Sequence, residues 1–364
     1  MPFSDFHGNA ETVHRLRDML ARERFPHAVI LAGASGSGKY TLALMLAQAM
    51  NCLAPLHADG LPDFCGRCPN CMRIAQAADL DARFAEAVEA RDNMREADKK
   101  EARIFVQTHP DVLIIPPDPP QMMVKVDQVR RVIDSIYYRP AEGRERVYVF
   151  TDSAFIKEAA NSLLKVLEEP PEFATILLLS ENPGELLPTI RSRSMTFPLR
   201  ALGVEEIESD LGKRRPEWKP AQRALVARLS EGALGRARNF DLAAYVAARA
   251  DALTILNSVR VGEHGELFKV TETYRPGAEG REKTEHLLHA LYSVLRDLMF
   301  LGSGAPQLVC NSDIPAELGK LSESVDFEWI AATSDRLAEV QRGMRRNLLR
   351  SLSLDAFAVA LEKA

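Results

Sequence analysis

A glycine-rich segment near the amino terminus has residues of the types and spacing that bind phosphate. The sequence GASGSGK contains Gly33, Gly36, Gly38 and Lys39. It follows the short apolar run 28–32, and a helix-like apolar stretch comes after it. Glycines let backbone N–H groups converge on phosphate oxygens, a helix amino terminus favours the anion, and the lysine would reach terminal phosphates. The pattern predicts a strand, a phosphate-binding loop and a helix. ATP or ADP is the candidate ligand, and a glycine-rich turn without ligand is the alternative.

Two residues that such a loop needs for hydrolysis are missing. Position 40, where a serine or threonine normally ligates Mg²⁺, is Tyr40. Thr41 cannot replace it, because one residue along a helix turns the side chain by ~100°. After the apolar run 147–150, the expected Asp-Glu pair is replaced by Thr151 and Asp152. We expect Asp152 to be the N-cap of the next helix, and we do not expect hydrolysis by this chain.

Four of the five cysteines lie within 20 residues of one another. They are Cys52, Cys65, Cys68 and Cys71. Zn²⁺ takes four tetrahedral ligands, and C-x-x-C spacing lets one turn present two sulfurs to the same ion. The amino terminus is polar and shows no export signal, so a metal site is expected before a disulfide framework. The spacing predicts a closed, structural Zn²⁺ site, and the alternative is four unrelated cysteines. We expect the fifth cysteine, Cys310, to be a buried apolar residue.

Composition limits the class of protein. The chain is 46% hydrophobic and 27% charged, as is ordinary for a globular protein. No apolar run approaches the ~18 residues of a membrane span, so we expect a cytoplasmic protein without a membrane partner. The net charge of −5 argues against a surface built as a whole to bind nucleic acid.

The pattern of apolar residues predicts three domains. Strand-like runs at 28–32, 111–115, 147–150, 175–179 and 195–197 alternate with helical periodicity, which is typical of a mainly parallel sheet covered on both faces. One predicted helix has Asp127 as its N-cap, and another covers 156–167. The predicted organisation is an α/β core at 1–200, a small helical lid at 201–245 and an all-α domain at 246–364. Inside the core lie the cysteine module at 52–71 and a helical, solvated insertion at 79–103, where 14 of 25 residues are charged.

Six motifs in chain order resemble a known family. They are GASGSGK, CGRCPNC, His-Pro-Asp at 109–111, KVDQVR at 125–130, NSLLKVLEEPP at 161–171 and Ser-Arg-Ser at 192–194. Together they resemble the delta-prime subunits of bacterial DNA polymerase III clamp loaders, which are AAA+ proteins, over roughly residues 1–240. The resemblance implies a AAA+ P-loop core, a lid and a helical collar. It also implies an open ring with gamma/tau-type and delta-type subunits that loads a sliding clamp on primed DNA, within a holoenzyme whose polymerase is a nucleotidyltransferase.

The same resemblance assigns a role to Arg193. In that family, the arginine of a Ser-Arg-Cys motif enters the ATP site of the neighbouring subunit, where its fixed charge neutralises the transferring phosphate. Ser194 stands for the cysteine here, and the alternative for Arg193 is a salt-bridged arginine at a domain edge. Motor subunits also carry an arginine in a Gly-x-x-Arg motif, where this chain has Gly235 followed by Arg236. Together with Tyr40, this departure favours a non-motor subunit.

Three hypotheses remain open from the sequence. The first is a non-motor clamp-loader subunit that supplies Arg193 in trans, and the alternative is an active AAA+ ATPase subunit of gamma/tau type. A zinc-dependent nucleic-acid binding protein is disfavoured by the negative charge and by the lack of interleaved aromatic and basic residues around the cysteines. Helices beginning near Asp127 and Ser153 would direct their amino termini at DNA, as the resemblance implies. Nearby cations, equally well explained as a solvated face, are Arg130, Arg131 and Lys157.

Overall fold

The chain forms two compact units. A computed structural model describes residues 2–261, 264–274, 278–344 and 356–357. Unit 1 comprises Met1–Leu202 with Ala233–Arg236, and unit 2 comprises Gly203–Gly232 with Ala237–Ala364. The division of the chain into domains at 1–200, 201–245 and 246–364 stays a prediction. Its last part, at 345–355 and 358–364, lies outside the described residues.

Unit 1 is an α/β structure. Its helices are α1 (Ala10–Ala21), α2 (Lys39–Asn51), α3 (Pro69–Ala75), α4 (Leu80–Asp92), α5 (Glu96–Glu101), α6 (Val126–Ile136), α7 (Lys157–Glu168) and α8 (Pro188–Arg191). Its strands are β1 (Ala28–Ala32), β2 (Leu56–Ala58), β3 (Leu61–Asp63), β4 (Val106–His109), β5 (Val112–Ile115), β6 (Arg146–Phe150), β7 (Ala174–Ser180) and β8 (Met195–Pro198).

Six of these strands form one sheet, in the order β4-β5-β6-β7-β1-β8. Strand β1 is parallel to both neighbours, with Ile30 opposite Leu178 of β7 and Thr196 of β8. Strands β5, β6 and β7 also pair in parallel. All residues of β1 and β7 are buried, as expected for parallel strands covered on both faces. The predicted parallel sheet is therefore confirmed.

Helices cover the two faces of this sheet. On one face, Leu42 and Leu46 of α2 pack with Val149 of β6. On the other face, Val132 of α6 and Leu163 of α7 pack with Ile30. Alternate residues of a strand point to opposite faces, so each central strand contributes to both layers.

Two strand pairings were not predicted. Strand β4 runs antiparallel to β5 at the sheet edge, with Val106 opposite Ile114. Strands β2 and β3 form a separate antiparallel hairpin inside the cysteine module. Strands β2, β3 and β4 have three or four residues each, and polar or proline residues interrupt their apolar residues.

Two predicted N-caps are wrong. Helix α6 begins at Val126 after Lys125, whose backbone N–H donates to Oε1 of Gln128 at 2.9 Å. Asp127 therefore lies in the first turn, where its carboxylate pairs with Arg103 at 2.8 Å. Helix α7 begins at Lys157 rather than near 153. The carboxylate of Asp152 accepts from the N–H of Ala154 at 2.9 Å and so stabilises a turn before the helix.

The charged insertion is helical, as predicted. It contains α4 and α5, and Asp79 caps α4 by accepting from the N–H of Ala82 at 3.1 Å. No residue of α4 is buried. Arg91 on this helix donates to the buried carboxylate of Asp118 at 3.3 Å, which anchors the insertion to the loop after β5.

Unit 2 is helical throughout its described part. Its helices are α9 (Val204–Arg214), α10 (Pro220–Leu229), α11 (Leu234–Arg238, whose first residues belong to unit 1), α12 (Leu242–Val261), α13 (His264–Thr271), α14 (Ala278–Gly302), α15 (Pro315–Ser322) and α16 (Phe327–Met344). The core lies mainly between α12 and α14, and Asp297 within it accepts from the N–H groups of Cys310 and Asn311 at 2.8 Å each. In the described part of the chain, no helix is long and apolar enough to cross a membrane.

Candidate functional site: the phosphate loop, Arg193 and the cysteine cluster

The glycine-rich loop connects β1 to α2, as the sequence predicts. Gly36 has φ of +75° and Gly38 has φ of +93°, a region that glycine occupies without steric cost. Gly38 is the N-cap residue of α2. A Cβ at this position would also lie 3.0 Å from the ring of Phe6, so the loop requires glycine for two reasons.

Lys39 folds back onto the loop. Its ammonium Nζ donates to the carbonyl oxygens of Gly33 at 2.5 Å and Ala34 at 2.8 Å. Burial lowers the pKa of Lys39 below its ordinary value, although the carboxylates of Glu181 and Asp152 act to raise this pKa.

The residues present fit a phosphate group. Among the described residues, the buried hydroxyl of Ser37 has no hydrogen-bond partner, so the loop holds an unused donor. The amino terminus of α2 adds a partial positive charge at the same place.

Tyr40 does not face the loop. Its hydroxyl donates to the carbonyl oxygen of Ala77 at 2.6 Å, just beyond the end of α3. Burial raises the pKa of this phenol, so it stays protonated and neutral near pH 7. The side chain of Thr41 is exposed. Neither residue therefore offers an oxygen in the position of the usual Mg²⁺ ligand.

The acidic groups near the loop come from two strand ends. Asp152 follows β6 and Glu181 follows β7, at the carboxyl edge of the parallel sheet. Both carboxylates act on Lys39. Thr151, in the place of the expected aspartate, donates its backbone N–H to Ile115 at 3.1 Å. The sequence pattern did not single out Glu181, although an acid two residues after the predicted strand 175–179 was the available signal.

Gly235 approaches the loop closely. Its N–H donates to the carbonyl oxygen of Gly36 at 2.8 Å. A Cβ on Gly235 would lie 2.8 Å from that oxygen and 3.2 Å from the Cα of Gly36, so no larger residue fits without displacing the backbone. Arg236 lies close enough to act on the pKa of Lys39, which it lowers.

Arg193 lies at the surface after α8. Its guanidinium donates to Oε1 of Glu168 at 2.7 Å and to the carbonyl oxygen of Thr189 at 3.2 Å. The side chain of Arg193 is 36% exposed and that of Glu168 is 52% exposed. A pair this exposed contributes at most ~1 kcal/mol, so a competing anion can displace it. Helix α8 belongs to the layer of α6 and α7, whereas α2 lies on the other face of the sheet.

The four cysteines come together. Cys52 follows α2, Cys65 lies in the loop after β3, Cys68 is the N-cap of α3 and Cys71 lies within α3. Their sulfur atoms all lie within 4.8 Å of one another. A tetrahedral ion with bonds of ~2.3 Å holds its sulfurs ~3.8 Å apart, so small adjustments would close the cluster. The cluster could therefore hold a metal ion.

Backbone groups around the cluster favour thiolates. The N–H of Cys65 donates to the sulfur of Cys52 at 3.3 Å, and that of Cys68 donates to the sulfur of Cys65 at 3.2 Å. Burial acts to raise the pKa of Cys68, but backbone N–H groups and the neighbouring thiols outweigh it and lower the pKa to about 6. Burial raises the pKa of Cys71.

The hairpin of the cysteine module is held by Arg17 on α1. This buried guanidinium donates to the carbonyl oxygens of Ala58 at 2.7 Å, Leu61 at 3.1 Å and Pro62 at 3.0 Å. No sequence pattern indicated this role, because the contacts join residues more than 40 positions apart.

Comparison with known proteins finds one matching family and several similar proteins. A family profile described as DNA polymerase III, delta subunit, matches residues 8–203. DNA polymerase III subunit tau of Escherichia coli K12 is 31% identical over 237 residues, which are 64% of this chain and 31% of tau. The chain thus matches about a third of that relative's length. Subunit delta′ of Bacillus subtilis 168 is 24% identical over 303 residues, 82% of this chain and 79% of delta′. A solved gamma subunit-related protein of DNA polymerase III from Thermotoga maritima, 19% identical, covers 96% of this chain and 99% of its own, with a TM-score of 0.41.

Proposed function

The chain belongs to the DNA polymerase III delta subunit family, and on that premise we propose that it is a non-motor, delta-prime-type subunit of a clamp loader. In this role it packs beside ATPase subunits of gamma/tau type and a delta-type subunit. It completes a neighbour's ATP site during loading of the sliding clamp on primed DNA.

The observation that carries the proposal is the direction of Tyr40. A hydrolysing loop of this kind places a hydroxyl on Mg²⁺ at this position. Here the hydroxyl is bonded to Ala77 at 2.6 Å, away from the loop. Without that ligand the metal ion that bridges the terminal phosphates is poorly held, and phosphoryl transfer loses much of its electrostatic stabilisation.

Two further positions support a non-motor role. Thr151 has no carboxylate to hold the water shell of a metal ion. At Gly235 the backbone lies against Gly36, so the arginine that contacts nucleotide in motor subunits has no room there. The loop is then a phosphate cradle that positions a bound ATP or ADP at most, without turning it over.

Arg193 is the residue we assign to catalysis in trans. Its guanidinium is permanently charged and lies at the surface, and its partners among the described residues, Glu168 and Thr189, are exposed. A neighbouring γ-phosphate carries more charge than Glu168 and accepts a bidentate arginine, so it would compete for the same donors.

The cysteine cluster is assigned a structural Zn²⁺. Four sulfurs fill a tetrahedral shell and leave no open position for water, so the ion would stabilise the module without catalysing a reaction. The ligands are the four cysteines of the cluster, Cys52, Cys65, Cys68 and Cys71.

The proposal is tested in a reconstituted ring in which only the motor subunit next to this chain keeps its phosphate-loop lysine. We expect Arg193→Ala to slow single-turnover ATP hydrolysis by about 10³-fold, because an arginine finger is worth that much or more. Arg191→Ala is the matched control, since this exposed arginine lies two residues away. Unchanged hydrolysis with Arg193→Ala, or an equal loss with Arg191→Ala, would contradict the assignment.

The alternative is an active gamma/tau-type ATPase. It is favoured by the complete loop up to Lys39 and by the higher identity to tau, 31% against 24% for delta′. A ring in which only this chain keeps its loop lysine separates the two functions. The alternative predicts Mg²⁺-dependent hydrolysis that disappears with Lys39→Ala, and the non-motor role predicts none at the outset.

A further inference from the structure

Helix α2 connects the two candidate sites of unit 1. It begins at Lys39 in the phosphate loop and ends at Asn51, directly before the cysteine ligand Cys52. Most of the helix is buried under the sheet, so it is a rigid element. Any group fixed to α2 is therefore fixed relative to the sulfur of Cys52.

Helix α3 carries the other end of the cluster. Cys68 is its N-cap and Cys71 lies in its first turn, so the tilt of this short helix sets where two of the four sulfurs point. Its seven residues are too few to be stable alone, and its orientation must come from contacts with other elements.

Side chains of α2 bond both ends of α3. Near its start, Nε2 of Gln48 donates to the carbonyl oxygen of Cys71 at 2.9 Å. Beyond its end, the hydroxyl of Tyr40 donates to the carbonyl oxygen of Ala77 at 2.6 Å, and Ala77 is 1% exposed. No other hydrogen bond to the carbonyl of Ala77 is found among the described residues.

We propose that Tyr40 is a positioning residue for the cysteine site: its phenol braces the far end of α3 against α2 and so holds Cys68 and Cys71 in reach of Cys52. The start and middle of α3 keep other contacts, because the amide of Asn70 donates to the carbonyl oxygen of Asn51 at 3.0 Å and Arg73 pairs with Glu142. Loss of the Tyr40 hydrogen bond therefore loosens the carboxyl end of α3 and with it the fit of the cysteine site. The position that ligates Mg²⁺ in a hydrolysing loop therefore serves the cysteine module in this chain.

This inference rests on the proposed metal ion at the cysteines, and its test measures metal retention rather than ATP turnover. The chain is loaded with Co²⁺, whose thiolate absorption bands report four-sulfur ligation, and transfer of the ion to a chelator is timed. Tyr40→Phe keeps the ring and removes only the hydroxyl. We expect it to release the ion about 10-fold faster, because the buried carbonyl of Ala77 loses the one hydrogen bond that the described residues give it.

Tyr148→Phe is the matched control. Its hydroxyl also lies in unit 1 and bonds Ser135 at 3.0 Å, but it packs in the layer on the other face of the sheet. We expect Tyr148→Phe to release Co²⁺ at the wild-type rate. Tyr40→Thr restores a hydroxyl amino acid at the loop but removes the brace entirely, so it should release the ion at least as fast as Tyr40→Phe.

The outcomes separate this inference from the proposed metal site. A wild-type chain that shows no four-sulfur Co²⁺ spectrum would contradict the metal site itself. A loaded wild type whose Tyr40→Phe variant releases the ion at the same rate would contradict only the brace. Equal acceleration by Tyr148→Phe would also contradict it, because the effect would then reflect general loss of stability.

Discussion

Tyr40 stands where a phosphate loop usually carries its Mg²⁺ ligand, and its side chain is bonded elsewhere. Sequence alone indicated that the ligand was missing, because the motif fixes the residue type at that position. The partner at Ala77 could not be predicted, since 37 residues separate the two and the contact depends on how the cysteine module folds. The same limit applies to Gly235, which the sequence marked as a missing arginine and the structure places against Gly36.

Asp111 is a second residue whose role depends on long-range contacts. Its fully buried carboxylate accepts from the N–H groups of Ala141 at 2.7 Å, Glu142 at 2.8 Å and Gly143 at 2.7 Å. Burial acts to raise the pKa of Asp111, but these three donors outweigh it and hold the pKa below its ordinary value of 3.8. The ionised form therefore stabilises the fold.

We expect Asp111→Asn to lower the free energy of unfolding by about 2–4 kcal/mol at pH 7, because its amide group would face backbone donors. Since the folded-state pKa is depressed, the stabilisation is present above pH ~4 and is lost as the pH falls through the folded-state pKa. Urea unfolding at a series of pH values measures this. The difference in free energy of unfolding between wild type and Asp111→Asn should become smaller as the pH falls below about 4. A difference in free energy of unfolding that does not change with pH would contradict this role. Asp134→Asn, at an exposed site, is the control.

At the scale of elements, the sequence predicted those with long apolar runs. The buried strands β1, β5, β6 and β7 were found within one or two residues, because parallel strands are apolar on both faces. Strand β8 was also found, although Phe197 is its only buried residue. Strand β4 buries only its first and last residues, Val106 and His109, and was missed. The predicted start of α6 was wrong because a side chain inside the helix caps it: the backbone N–H of Lys125 donates to the side chain of Gln128.

Gln128 joins three elements through one side chain. It is fully buried, accepts from the N–H of Lys125, and donates to the carbonyl oxygens of Ile104 at 2.9 Å and Pro116 at 2.8 Å. We expect Gln128→Ala to lower the free energy of unfolding by about 2–4 kcal/mol, because two buried carbonyls lose a donor. Gln107→Ala, at an exposed glutamine, should change it by less than about 0.5 kcal/mol. Chemical denaturation measures both, and equal effects would contradict the role.

The cysteine module is the element that a metal ion would stabilise. We expect Cys71→Ser to reduce bound Zn²⁺ from about one ion per chain to none, and to expose the segment 53–77 to proteolysis while the sheet stays folded. Cys310→Ser, in unit 2, should keep the ion and the protease resistance of the wild type. Elemental analysis and limited proteolysis measure the outcome. Full retention of Zn²⁺ by Cys71→Ser would contradict a four-sulfur site.

At the scale of the whole molecule, each unit has its own hydrophobic core, and the family match at residues 8–203 falls within unit 1 and the first residue of unit 2. The sequence predicted unit 2 only as helices, because helical periodicity shows which face is buried and not which partner covers it. The functional residues that we assign, from the phosphate loop to Arg193, all lie in unit 1. In the proposed role, this chain acts by its place in an assembly, because it supplies Arg193 to the ATP site of a neighbouring subunit.

Steady-state ATP turnover by the reconstituted ring tests this role most directly, with Lys39→Ala and Arg193→Ala introduced separately into this chain alone. If the chain is a non-motor subunit, Lys39→Ala leaves turnover within about twofold of wild type, because no hydrolysis occurs at its own loop. Arg193→Ala lowers turnover at least about tenfold, because the neighbouring site loses its trans cation. The reverse pattern, a loss with Lys39→Ala and none with Arg193→Ala, would contradict the account and identify the chain as a motor.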